Sequence, residues 1–212
     1  RCQRNPAGGT EPEAALHLFN TPVGVQSRPM RDLIHRALAE DLGEGDLTSA
    51  AVVPEGARAR GSVVAKADGV VAGVEVAAAV FEAVGGGLAV QPRAVDGDRV
   101  APGDQLLALS GDARALLAAE RVALNLLGRL SGVATLTARY VAEVAGTGAR
   151  ILDTRKTTPG LRALEKAAVV AGGGTSHRFG LFDAILVKEN HVRVAGGVGE
   201  ATRRALAGAP PG

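Results

Sequence analysis

The sequence predicts an α/β protein: a small α/β sandwich followed by parallel β/α units. Three observations carry this. Residues 60–110 hold short β-branched or leucine-rich runs separated by turn signals. After residue 150 the order becomes strand, loop, helix, strand. The 212 residues are 46% hydrophobic and 22% charged, enough to bury a core and too apolar for disorder.

The elements follow in order. Residues 1–29 mix Gly, Pro, Thr, Asn and Gln with little periodicity and read as a disordered leader. Met30 is the only methionine, so the natural chain is expected to start there. Met30 to Leu42 is helical, with Leu33, Ala37, Leu38 and Leu42 on one face. Gly43 and Gly45 stop it, and Asp46 or Thr48 caps the next turn. Strands are expected at Gly61–Ala65 and Asp104–Leu109, bounded by turns at Asp68-Gly69, Asp96-Gly97 and Pro102-Gly103. One helix, Val74–Val84, interrupts them and ends at three glycines. Residues 112–146 read as two helices, capped by Asp112 and Ser131. A strand at Arg150–Asp153, a helix at Leu161–Ala171, a strand at Ala184–Val187 and a helix at Gly199–Ala207 complete the pattern. Two parallel strands cannot close a barrel, so the chain is expected to be a fragment.

Composition removes several classes. One cysteine cannot build a disulfide framework or a cysteine-rich zinc site. Aromatics at 2% and no tryptophan argue against a stacking surface for nucleic acid. No apolar run is long enough to span a membrane, and the first residues lack the apolar core of a signal peptide. The expected compartment is the cytoplasm. The net charge of +2 is uneven: residues 150–212 carry 10 Lys/Arg against 5 Asp/Glu. A local basic surplus favours an anion site over a coat for nucleic acid.

Three polar clusters stand at strand or loop ends, and the first and third directly follow apolar strands, where β/α folds place ligands. They are Asp153-Thr-Arg-Lys-Thr-Thr-Pro-Gly160, Gly172-Gly-Gly-Thr-Ser-His-Arg178 and Lys188-Glu-Asn-His191. Arg155, Lys156, Arg178 and Lys188 would share one crevice. Two like charges about 6 Å apart repel by roughly 3 kcal/mol at an effective dielectric near 20. Such a set calls for a small polyanion. Arginine offers a planar fork, lysine a point charge, and glycines let backbone N–H groups approach phosphate oxygens.

These clusters, with Glu40-Asp-Leu-Gly-Glu-Gly-Asp-Leu-Thr48, Glu120-Arg-Val-Ala-Leu-Asn-Leu-Leu127 and Leu130-Ser-Gly132, together resemble the quinolinate phosphoribosyltransferases. The resemblance runs from Met30 to the last helix. It implies an N-terminal α/β sandwich over residues 30–130 and an open β/α barrel from 131 to 212, incomplete in this chain. It implies transfer of phosphoribosyl from phosphoribosyl pyrophosphate to quinolinate, with loss of carbon dioxide and magnesium assisting. Arg155, His177, Arg178 and Lys188 would bind quinolinate. Arg121 would join them from the neighbouring subunit of a homodimer. Lys156 and Lys188 would contact the phosphates and serve as the catalytic pair.

Family members continue through strands that supply acidic metal-binding residues, so this chain alone is expected not to turn over, and no metal site is expected within it. Two other readings stay open. A same-fold homologue could take another substrate, as the molybdenum-associated and nicotinate-using enzymes do. The hairpins of residues 60–110 also look like a biotinyl or lipoyl carrier, with Lys66 as attachment site.

Overall fold

The structure, a computed structural model, describes residues 27–209. The leader assigned to residues 1–29 lies outside the described residues but for its last three positions. Two bodies result, residues 27–177 and residues 178–209.

In the larger body α1 spans Arg28–Leu42 and α2 spans Leu47–Val52. Pro29 sits in the first turn of α1, where a missing N–H costs nothing. Met30, Ile34 and Leu38 are buried at four-residue spacing, and Leu33, Ala37 and Leu42 pack beside them. Asp46 is the cap of α2: its carboxylate accepts the Ser49 N–H at 3.0 Å and also the Ser49 hydroxyl.

The sheet has the order β1-β5-β3, with β1 at Arg58–Val64, β3 at Ala89–Pro92 and β5 at Gln105–Asp112. All pairs are antiparallel, with Val63 opposite Leu107 and Val90 opposite Leu109. Leu106, Leu107 and Leu109 of the central strand are buried, whereas β1 exposes five of its seven residues. A short ribbon pairs β2 (Gly69–Val70) with β4 (Arg99–Val100). Helix α3 spans Val74–Val84, as expected, and Asp96 accepts the N–H groups of Gly73 and Val74 at its start. Val71, Val74, Val80, Phe81 and Leu107 are the largest fully buried side chains. Each such side chain contributes about 1.5–3 kcal/mol of transfer free energy.

The two helices expected over residues 112–146 are one, α4, Ala113–Glu143. Asp112 caps it, accepting the Ala115 N–H at 2.9 Å. Ser131 is no cap, because its hydroxyl is engaged elsewhere. It accepts the Ala72 N–H at 3.1 Å and faces the Ala72 carbonyl at 3.3 Å. Thr135 does the same for Val70, at 2.9 and 3.3 Å. Four residues of helix rise about 6 Å, and two residues of strand about 6.6 Å, so the repeats match. The helix thus replaces a missing neighbour strand for residues 70–72.

Helix α5, Arg162–Ala171, follows the polar loop as expected. The strand expected at Arg150–Asp153 is reduced to a parallel bridge between Leu152 and Thr175. In the smaller body the strand expected at Ala184–Val187 does not form. Those residues are exposed and pair with no strand among the described residues. Both corrections have one cause: a parallel strand holds its place through neighbours. Helix α6, Glu189–Ala195, was not expected, and α7 spans Val198–Ala207. Among the described residues no helix is long and apolar enough to cross a membrane.

Replacing Thr135 by Val keeps the shape and leaves both polar groups of Val70 unpaired. Thr135→Val is expected to destabilise the protein by about 1–3 kcal/mol, read as a lower urea midpoint at unchanged slope.

Candidate active site

The parallel bridge brings two of the three polar clusters together. Thr175 donates its N–H to the Ile151 carbonyl at 2.8 Å, and Asp153 donates to the Thr175 carbonyl at 3.1 Å. Arg155 follows one stub by two residues and His177 the other by two. Both residues therefore leave adjacent chain ends.

The bridge is locked from within. Asp153 is buried and pairs with buried Lys166 of α5. The same carboxylate accepts the His177 N–H at 2.9 Å and the Ser176 hydroxyl at 3.1 Å. Lys166 also donates to the His177 carbonyl at 3.1 Å.

A second clamp holds the loop after Arg155. Arg129 of α4 donates to Glu165 Oε1 through Nε at 3.1 Å and Nη2 at 2.7 Å, and to Thr158 Oγ1 at 2.7 Å. The Thr158 N–H donates to the other Glu165 oxygen at 3.1 Å, and Arg162 reaches Thr157 Oγ1 at 3.2 Å. Burial opposes a charged Glu165. Hydrogen bonds from Thr158 and Arg129, with the Arg129 charge, outweigh it and hold the carboxyl below its ordinary 4.5.

The triple glycine does not cradle phosphate. Its three N–H groups donate to the Ala168, Val170 and Val169 carbonyls and close the end of α5. Gly172 also passes against α4, where an added Cβ would lie 2.3 Å from the Ala134 carbonyl oxygen. Glycine is there for close packing.

Arg155 has a buried Nε with no hydrogen-bond partner among the described residues. Lys156 is exposed, its N–H held by Thr154 Oγ1 at 3.1 Å. Arg121 lies exposed on α4. In the smaller body Arg178 donates to the Ala184 carbonyl at 3.1 Å, and Asp183 accepts the N–H groups of Phe179 and Gly180. Lys188 precedes α6 with its side chain exposed; its N–H donates to His191 Nδ1 at 2.9 Å. His191 is thus a cap.

Among the described residues no group of three His, Cys, Asp or Glu could hold a metal. The carboxylates beside the basic loop, Asp153 and Glu165, are both engaged by cations of their own chain. Magnesium, which takes oxygen ligands from carboxylates and phosphates, finds no free carboxylate there.

Sequence reasoning missed Arg129, Glu165 and Lys166. The available signal was a pair of adjacent charges within the amphipathic α5, where Glu165 and Lys166 lie beside buried Leu164 and Ala168.

A sheet domain followed by an α/β segment with tethered basic loops defines a two-part α/β protein. Family models agree on which one. The N-terminal domain of quinolinate phosphoribosyl transferase matches residues 46–131, and its C-terminal domain matches residues 133–211. The chain belongs to the quinolinate phosphoribosyl transferase family. It is 51% identical over 183 residues to a nicotinate-nucleotide pyrophosphorylase (carboxylating) of Mycobacterium leprae, covering 85% of this chain and 64% of that one. It is 44% identical over 186 residues to the chloroplastic pyrophosphorylase of Oryza sativa, covering 86% and 50%. The crystal structure of NadC from Streptococcus pyogenes matches with a TM-score of 0.82 at 42% identity, covering 90% of this chain and 67% of that one. The chain thus spans between half and two thirds of the curated relatives' length.

Glu165 has a depressed folded value, so the unfolded chain binds more protons in mild acid. Its contribution is full above 4.5 and is lost as pH falls through the lower folded value. Denaturation midpoints measured down a pH series should fall below about pH 4.5, and Glu165→Gln should flatten part of that slope.

Proposed function

We propose that the protein carries out phosphoribosyl transfer to quinolinate, giving nicotinate mononucleotide, pyrophosphate and carbon dioxide on the route to NAD. The observation that carries this is the bridge that sets Arg155 beside His177, with the Arg155 Nε buried and unpartnered among the described residues. A dicarboxylate fits that demand, since forked guanidinium donors match carboxylate oxygens. Arg155, His177, Arg178 and Lys188 hold quinolinate in this reading. Lys156 and Lys188 hold the phosphates of phosphoribosyl pyrophosphate, which arrives with its magnesium. The quinolinate nitrogen attacks C1 of the ribose and pyrophosphate departs. Holding the nucleophile near C1 supplies much of the rate. The transition state at C1 is cationic, so the site must hold anions without quenching it. A cytoplasmic location belongs to the same proposal.

The proposal extends to a homodimer with Arg121 contributed across the interface. Helix α4 supports it with an exposed stripe of Leu117, Arg121, Gly128, Gly132, Leu136 and Tyr140. An added Cβ at either glycine would meet nothing within 4 Å, leaving room for a second surface to approach.

Calorimetry on the full-length protein should show quinolinate bound in preference to nicotinate, with Arg155→Ala weakening quinolinate by about ten- to a hundredfold. Equal affinity for nicotinate would favour a homologue with another substrate.

The dimer reading has its own check. Arg121→Ala and Arg155→Ala should each lose most activity at quinolinate levels below the wild-type KM. Subunits mixed in equal amounts should recover about a quarter of wild-type activity, because one site per mixed dimer is whole. No recovery would place Arg121 in its own subunit's site or outside any site.

A further inference from the structure

Three charged side chains are buried among the described residues: Asp153, Glu165 and Lys166. Glu165 is explained by the loop it holds. The Asp153–Lys166 pair needs another account, for its side chains are 2% and 6% exposed. An ion pair taken that far from water loses its hydration, and two apolar side chains of similar volume would join helix to strand at least as well. Stability therefore gives no reason for this pair.

The pair does something apolar side chains could not. It bonds both backbone polar groups of one residue. Asp153 Oδ1 accepts the His177 N–H at 2.9 Å, and Lys166 Nζ donates to the His177 carbonyl at 3.1 Å. The second Asp153 oxygen takes the Ser176 hydroxyl at 3.1 Å. The His177 backbone is therefore fixed to the chain end that carries Arg155, two residues beyond Asp153. The parallel bridge alone stops at Thr175.

We infer that Lys166 is a positioning residue: acting through Asp153, it fixes the backbone of His177 relative to Arg155, so that imidazole and guanidinium address one substrate. This rests on the quinolinate reading above. Neither Lys166 nor Asp153 touches substrate in it.

The test uses the full-length enzyme. Lys166→Met alone strands a buried carboxylate and risks misfolding. The informative protein is Lys166→Met combined with Asp153→Leu, which removes both charges and the acceptor of the His177 N–H at similar volume. Expected is a folded enzyme whose KM for quinolinate rises about tenfold, the weight of one charge-assisted hydrogen bond. Its kcat and its KM for phosphoribosyl pyrophosphate should stay within about twofold. Hydrogen exchange at the His177 amide should lose protection in the same protein.

A wild-type quinolinate KM in the folded double variant overturns the inference. So does an equal rise in both KM values, which general loosening would give. Failure of the functional reading looks different: the unmutated enzyme would not turn over quinolinate. Amide exchange would then still decide the positioning claim, and unchanged protection at His177 overturns it.

Discussion

The hydroxyls of Ser131 and Thr135 set what the rest of the larger body can do. Each satisfies both backbone polar groups of a residue in the 70–72 segment, which would otherwise be buried without partners at a cost of roughly 1–3 kcal/mol apiece. Because they lie one helical turn apart, they require an unbroken helix through residues 131–135. That continuity makes α4 the common wall of the larger body. Its inner line of Leu116, Ala119, Ala123, Leu127 and Leu130 meets the sheet and α3, and beyond it Ala134 meets the turn that ends α5. The basic loops are thereby referred to the same rigid element as the sandwich core.

From that wall the loops are tethered by charge. Helix α5 carries Glu165 and Lys166 side by side, and the two reach opposite ways. Glu165 holds the loop after Arg155 through Thr158, with Arg129 of α4 closing the clamp. Lys166 holds the loop before Arg178 through Asp153 and His177. Carboxylates engaged in this way cannot neutralise Arg155 or Lys156, which make no ion pair among the described residues. A basic surplus in the sequence thus becomes a local one: Asp153 and Glu165 are engaged in holding the loops, and Arg155 and Lys156 gain no counter-charge from them.

The sequence made some of this legible. The bounds of α3 could be read because glycines flank an apolar run, and the caps Asp46 and Asp112 because each stands before one. That Arg155 and His177 belong together came from the family resemblance and not from local pattern, because His177 follows a helix and a triple glycine in the sequence. The continuity of α4 was not legible, since Gly128, Ser131 and Gly132 look locally like a stop. Their partners lie about 60 residues away in sequence, beyond any local rule. Arg129, Glu165 and Lys166 hid for the same reason, as charges on an amphipathic helix ordinarily face water. The triple glycine misled in the opposite direction. Its composition fits a phosphate loop, but its N–H groups are already taken by the end of α5.

Two of the four arginines of α4, Arg121 and Arg129, have different surroundings. Arg129 lies eight residues beyond Arg121, which on an α-helix is about 12 Å along the axis and roughly 80° around it. Arg129 turns toward Glu165 and Thr158 of its own chain. Arg121, displaced by that rise and rotation, lies exposed one turn beyond exposed Leu117. The helix that Ser131 and Thr135 keep unbroken fixes the spacing of these two arginines, one bracing its own loops and the other facing outward.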